Sequence, residues 1–212
     1  MKTRVYKLIL TILVFTAGST AIPVWADDAP RQVQRVKAAI VYRFIKFVEW
    51  PNEKDVGHDK PITVGIIGSQ DFVQAFAPVI HRKVKGRGIS IRYFAGYERL
   101  AKPSDPNDQQ WQQKIAALKA CDVLFLCKCD DAHLGDSTEI VKALRGSAVL
   151  TVSETGGFLE SGGMINLLMV NNKICFEINL VSAKQARLKI RSQLLRLAQR
   201  VVSEKPSDRV KK

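Results

Sequence analysis

Val149-Leu-Thr-Val-Ser-Glu-Thr-Gly-Gly-Phe-Leu-Glu-Ser-Gly-Gly-Met-Ile-Asn-Leu-Leu-Met-Val-Asn-Asn-Lys-Ile-Cys-Phe-Glu-Ile-Asn179 is the stretch on which the fold turns. Residues 149–152 are an apolar, β-branched run, which suits a strand covered on both faces. Gly156-Gly157 and Gly162-Gly163 bracket a loop carrying Phe158. Paired glycines permit positive φ and close backbone approach. Residues 164–170 and 173–179 flank Asn171-Asn172, and asparagine tolerates the left-handed region. This predicts a two-residue hairpin.

Upstream, candidate strands at 62–67, 89–94, 122–127 and 148–153 alternate with helical patterns at 70–82, 111–120 and 136–144. The alternation predicts an α/β domain with a mostly parallel sheet. Before it, residues 31–49 read as an amphipathic helix. Val33, Val36, Ile40, Phe44, Phe47 and Val48 recur at helical spacing, with Arg35, Arg43 and Lys46 on the other side. Pro30 suits a first turn and Pro51 stops the helix. Gly86-Arg87-Gly88 reads as a turn, and 52–60 and 101–108 as polar surface loops. Downstream of the hairpin, two short helices are expected at 180–187 and 192–202, the second capped by Ser192. Leu194, Leu195, Leu197, Ala198 and Val201 would form its apolar face.

Residues 1–26 have the form of a secretory signal peptide. Lys2, Arg4 and Lys7 precede an apolar run from Leu8 to Ala17, and Val24-Trp25-Ala26 fits the cleavage pattern. The mature chain would begin at Asp27 and form one domain over 27–212, with a charged, frayed end at 203–212. No other segment is apolar enough to span a bilayer. Removing three basic residues with the leader lowers the net charge from +13 to +10. A surplus of that size fits an acidic protein partner or an anionic envelope surface. Export argues against nucleic acid.

Groups for catalysis are sparse. His58, His81 and His133 stand apart, and neither Gly-x-Ser-x-Gly nor His-Glu-x-x-His occurs. The 156–163 loop lacks the Lys-Ser/Thr of a phosphate loop. Cys121, Cys127, Cys129 and Cys175 are an even number in an exported chain, so disulfides are one reading and buried free thiols another. Cys121 and Cys175 are candidates to meet across the sheet. Cys127, Cys129 and His133 resemble half a soft-metal site, which leaves a solute- or metal-binding module as the alternative function.

Seven segments carry a resemblance. They are Phe-Ile-Lys-Phe-Val-Glu-Trp-Pro at 44–51, Gly86-Arg87, Cys121-Asp-Val-Leu-Phe-Leu126, Val149-Leu-Thr-Val-Ser-Glu154, Gly162-Gly-Met-Ile165, Phe176-Glu-Ile-Asn179, and the Leu188 to Ala198 run. In this order, behind a signal peptide, the chain resembles YfiR/HmsC-type periplasmic proteins. The resemblance implies a compact α/β fold, often dimeric, without catalysis or cofactor. Relatives bind the periplasmic domain of an inner-membrane diguanylate cyclase and hold it inactive. They thereby control cyclic di-GMP and biofilm, and an outer-membrane lipoprotein can titrate them away. Other relatives serve other sensors. Relatives with defined disulfides place cysteines in the first strand and around the glycine loop, where this chain has Gly65, Leu159 and Asn166; only Cys121 is shared. Arg187 stands where many relatives carry glycine.

A binding protein of this kind needs apolar anchors fixed by polar groups. Phe158, Ile165, Glu177 and Asn179 are the candidate partner-binding residues, and Trp50 a further anchor. Core packing is the competing reading for the aromatics, Phe176 included. Glu177 would either meet the partner or pair internally with Lys189 or Arg191. Phe47, Glu49, Trp50, Pro51, Gly86, Arg87, Gly162, Gly163 and Phe176 form the structural motif.

Overall fold

The computed structural model describes residues 28–51, 53, 57, 59–97, 103, 108–128 and 134–203. Residues 1–26, where the signal peptide is expected, Asp27, Cys129, His58, His133, most of the loops at 52–60 and 101–108, and residues 204–212 lie outside these residues.

The expected alternation of strand and helix is present. In chain order the elements are α1 (Asp28–Phe47), β1 (Val48–Glu49), β2 (Ile62–Ile67), α2 (Gln70–Ala75), β3 (Ile89–Phe94), α3 (Gln109–Lys119), β4 (Val123–Leu126) and α4 (Leu134–Ala143). Then follow β5 (Leu150–Ser153), β6 (Ile165–Val170), β7 (Lys173–Asn179), α5 (Leu180–Gln185), β8 (Lys189–Ile190), α6 (Ser192–Leu195) and β9 (Arg200–Val202). Seven strands form one sheet in the order β3-β2-β4-β5-β6-β7-β9, and β1 pairs with β8 in a small second sheet. Within the large sheet only the β6–β7 pair is antiparallel.

Side chains alternate across the sheet and build a core on each face. Val64, Ile66, Val123, Phe125, Leu150 and Val152 point to one side, where Val41, Phe44 and Ile45 of α1 and Phe72 and Phe76 around α2 cover them. The Phe72 ring stacks on Phe125 at 4.1 Å between centroids. Ile67, Phe94, Leu124 and Leu126 point to the other side, under Ile115 and Leu118 of α3, Ile140 and Val141 of α4, and Leu144 just after it. The central strands are apolar on both faces, as strands covered by two helical layers require.

The hairpin is made as expected. Asn171 and Asn172 take φ of 48° and 58°, the left-handed pair that a two-residue turn of primed type needs. Its placement was not foreseen. The register with β5 ends at Ser153↔Asn166, so the rest of β6 and the facing part of β7 run past the carboxyl edge of the sheet as a two-stranded arm.

Three expectations are corrected. α2 stops at Ala75 instead of 82, and the chain continues in tight turns such as Ala77 N–H to Gln74 O and Val79 N–H to Phe76 O. Pro78 has no N–H to donate and crowds the preceding turn, so a long helix cannot form. The second terminal helix is only Ser192–Leu195, because Arg200–Val202 instead pairs in parallel with β7. Ser192 is not its cap: Arg191 holds the cap position and makes no capping bond. Arg187 takes φ 59°, in the left-handed region.

Candidate functional site

The aromatic-proline motif and the Gly86-Arg87 turn meet at the amino edge of the sheet. The Trp50 indole N–H donates to the Asp122 carbonyl at 3.2 Å, and the Asp122 carboxylate accepts from the Thr63 amide at 2.8 Å. Arg87, only 3% exposed, donates to the carbonyls of Lys60 and Pro61 at 2.7 and 3.0 Å and lies 3.7 Å from Asp122. A buried guanidinium needs this many acceptors to offset its lost hydration. Lys85 donates to Val48 O at 2.7 Å and to Glu53 at 2.6 Å, over the Trp50 ring at 5.7 Å. Glu49 accepts from Arg191 at 2.9 Å, which holds its carboxyl below the ordinary value. The knot ties β1, the 84–87 turn and the starts of β2 and β4 together. Trp50 is therefore a core residue rather than an exposed anchor.

The four candidate partner-binding residues lie close together, but not on an open surface. Phe158 is 3% exposed, in the core under α3 and α4. Its ring occupies the space beside Gly163, where an added Cβ would come within 2.2 Å of it. Ile165 is fully buried between β5 and β7. Asn179 caps α5: its Oδ1 accepts from the Ser182 amide, and its Nδ2 donates to Leu159 O, both at 3.0 Å. Glu177 pairs with Arg200, at 2.7 and 2.9 Å, rather than with Lys189 or Arg191. Arg200 also reaches Glu160 at 3.1 Å. Glu177 first, then Glu160, holds the guanidinium more firmly protonated than usual. Glu160 is in turn depressed, by its own backbone amide and then by Arg200. Exposed anchoring through Phe158 and Ile165 is thus corrected: the glycine loop folds its aromatic inward because Gly163 leaves room for the ring.

Arg200 was missed by sequence reasoning, since its role depends on β9 lying beside β7. One polar atom on the same face stays unsatisfied among the described residues: Asn166 Oδ1, which points from β6 into the interior. At the carboxyl edge Lys37 of α1 forms a half-buried ion pair with Glu154, which also accepts from the Lys128 amide at 3.4 Å. Among the described residues no three His, Cys, Asp or Glu side chains are grouped as a metal site would need. His81 is exposed in the turns after α2. No described helix is long and apolar enough to cross a membrane.

A family model described as YfiR/HmsC-like matches residues 34–199. The chain belongs to the YfiR/HmsC-like family. Among solved structures it is similar to a conserved domain protein from Vibrio cholerae O1 biovar El Tor, with 11% identity and a TM-score of 0.50 over 79% of this chain and 60% of that one. It is also similar to an ABC domain in complex with L-Trp from Streptococcus pneumoniae, with 13% identity and a TM-score of 0.49 over 81% of this chain and 60% of that one. The first likeness shows the α/β fold alone. The chain spans 60% of the length of each of these structures.

Within the YfiR/HmsC-like frame, Cys121 and Cys175 take the free-thiol reading of the two that the sequence left open, and they do not meet. Strands β5 and β6 separate their strands, and they sit toward opposite edges of the sheet. Burial pushes the Cys121 thiol up to about 11. Gly65, where relatives carry a cysteine, faces it: an added Cβ there would lie 3.0 Å from Cys121 Sγ. Cys127 is buried against Gly68 at the end of β2.

Proposed function

We propose that this protein is a periplasmic regulator that binds the periplasmic domain of an inner-membrane diguanylate cyclase, or a related sensor, and holds it inactive by contact. In this reading it restrains cyclic di-GMP, and with it biofilm and attachment, and an outer-membrane lipoprotein can relieve the restraint. The observation that carries the reading is the YfiR/HmsC-like match over residues 34–199. The geometry agrees with it. The family motifs are spent on the amino-edge knot, the glycine-loop core and the α5 cap, all of which stabilise a scaffold. None of them brings a nucleophile, base and orienting group together.

The experiment is a deletion strain with and without complementation, assayed for cyclic di-GMP. The expected outcome is a rise on deletion that the intact gene reverses and that disappears when the responsible cyclase is also removed. Unchanged cyclic di-GMP in every growth condition would overturn the cyclase as target.

A further inference from the structure

We propose that the β6–β7 arm and the amino-terminal half of α1 form a docking surface for an acidic protein domain. The arm supplies a free strand edge and apolar contacts, and α1 supplies cations. The inference deepens the regulatory reading and rests on it for the partner's identity as a signalling protein, though not for the chemistry of the surface.

The arm is the first observation. β6 pairs with β5 only at Ile165 and Asn166, and β7 pairs with β9 only from Glu177 onward. The outer edges of residues 167–170 and 173–175 have no strand beside them among the described residues. At about 3.3 Å per residue, four residues carry the arm roughly 13 Å past the last β5 pair. Leu168, Val170, Ile174 and Cys175 are half-buried along it, and Met169 is 53% exposed. A lone two-stranded ribbon is marginal by itself. Sheet edges are normally blunted by charge or proline, yet residues 164–176 contain one charge, Lys173, and no proline. An edge-open arm with a single charge on an otherwise strongly charged chain is the pattern of a surface meant to be covered.

The second observation is the direction of α1. Lys37 meets Glu154 just beyond β5, whereas Trp50, after the helix, meets Asp122 at the start of β4. The helix therefore runs from the carboxyl edge to the amino edge, and the residues before Lys37 project past the same edge as the arm. That half carries Arg31, Arg35 and Val36, all exposed.

Charge selects the occupant. The amino-terminal half of α1, residues 28–37, holds Arg31, Arg35 and Lys37 against Asp28, and residues 164–176 add Lys173 and no acid, so cations outnumber acids four to one. Among the described residues, Glu154 and Glu177 are engaged by Lys37 and Arg200. A second copy would bring the same cations, and the full chain carries a net charge of +13, or +10 without residues 1–26, so like charges oppose self-association here. An anionic bilayer would match the cations but leave the arm's backbone N–H and C=O groups without partners. A folded acidic domain with an exposed strand satisfies both the edge and the charge.

The test places photoreactive benzoylphenylalanine at Met169 in the full-length protein, expressed in its own host lacking the native copy. Ile80, exposed on the turns after α2, is the comparison position. The expected result is an adduct with an acidic polypeptide from position 169 and none from position 80. The charge reversals Arg35→Glu and Lys173→Glu together should lower the adduct about tenfold while periplasmic protein level and thermal midpoint stay unchanged. An adduct with a second copy only, with phospholipid only, one insensitive to the charge reversals, or none from position 169 would each overturn the proposal. Mass spectrometry of the adduct separates the two readings. An acidic partner other than a cyclase keeps the surface and removes the cyclase. A cyclase captured only from position 80 does the reverse.

Discussion

Gly163→Ala isolates the packing that turned Phe158 from a presumed surface anchor into a core residue. Gly163 is not in the left-handed region, so the substitution carries no backbone strain and acts through its methyl group alone. That methyl would lie 2.2, 2.3 and 2.6 Å from three ring carbons of Phe158. Contacts between carbons are comfortable at about 3.5–4.0 Å, so the ring has to move by more than 1 Å. Full eviction forfeits what a Phe→Ala truncation forfeits, about 3–5 kcal/mol. Partial adjustment costs what overpacking costs, about 1–3 kcal/mol. The expectation for Gly163→Ala is thus roughly 2–4 kcal/mol, a large share of the roughly 5–15 kcal/mol available to a domain. Phe158→Ala alone should cost about 3–5 kcal/mol. The double variant should be no worse than Phe158→Ala, because the new methyl enters space the ring has vacated. Urea unfolding of the mature protein, with midpoints and slopes compared, measures all three. Simple addition of the two single costs would refute the reasoning, since residues in direct contact must couple. A Gly163→Ala midpoint equal to that of the parent protein would refute it more directly.

Gly65→Cys should form a disulfide with Cys121 on mild oxidation, seen as loss of two hydrogens by intact mass, because its Cβ would sit 3.0 Å from Sγ; Phe94 and Leu124, at 2.8 and 2.9 Å, must give slightly. In the parent protein, native-state alkylation at pH 8 should label Cys175 well before Cys121, whose thiol burial has pushed up to about 11; peptide mapping reads the order. Glu49 and Glu160 are both depressed, so the stability they supply is present above 4.5, their ordinary value, and is lost as pH falls through their depressed values. Glu49→Gln with Glu160→Gln should therefore flatten the stability profile below about pH 4.5 and leave its shape above pH 6 unchanged, as thermal unfolding against pH would show. Arg187→Gly should raise stability by about 1 kcal/mol, since it relieves a left-handed arginine, and chemical denaturation measures the gain. Amino-terminal sequencing of the secreted form should begin at Asp27; an intact leader in the membrane fraction would contradict cleavage.

Elements set by local pattern were legible. The apolar runs of β2, β4 and β5 and the Asn171-Asn172 turn carry their own period and turn chemistry, and each is where the sequence places it. Elements that exist only through a distant partner were not. Val48-Glu49 is too short to declare itself a strand and becomes one by pairing with Lys189-Ile190. Arg200–Val202 continues an apolar spacing that reads as helix, yet the free edge of β7 captures it. The site followed the same rule. Asn179 and Glu177 were recognised as polar groups with work to do, but a cap needs the Ser182 amide and an ion pair needs the register of β9. Phe158 was placed outside because flanking glycines suggest an open loop, whereas Gly163 makes the cavity that takes the ring in.

The pairing of β1 with β8 has a consequence for how the chain matures in time. The Arg191 amide donates to Phe47 O, Val48 faces Ile190, and Leu188, Ile190 and Leu194 join the same core as Val41 and Phe44 of α1. A polypeptide that emerges amino-terminus first has made its first helix long before the residues that seal that helix exist outside. Until Lys189 and its successors arrive, the apolar side of α1 lacks its last partners, and β7 lies open where β9 will join it. Contacts of such long sequence separation form late and slowly. Completion of the fold is thereby tied to delivery of residues 188–202, which keeps the growing chain pliable until they arrive.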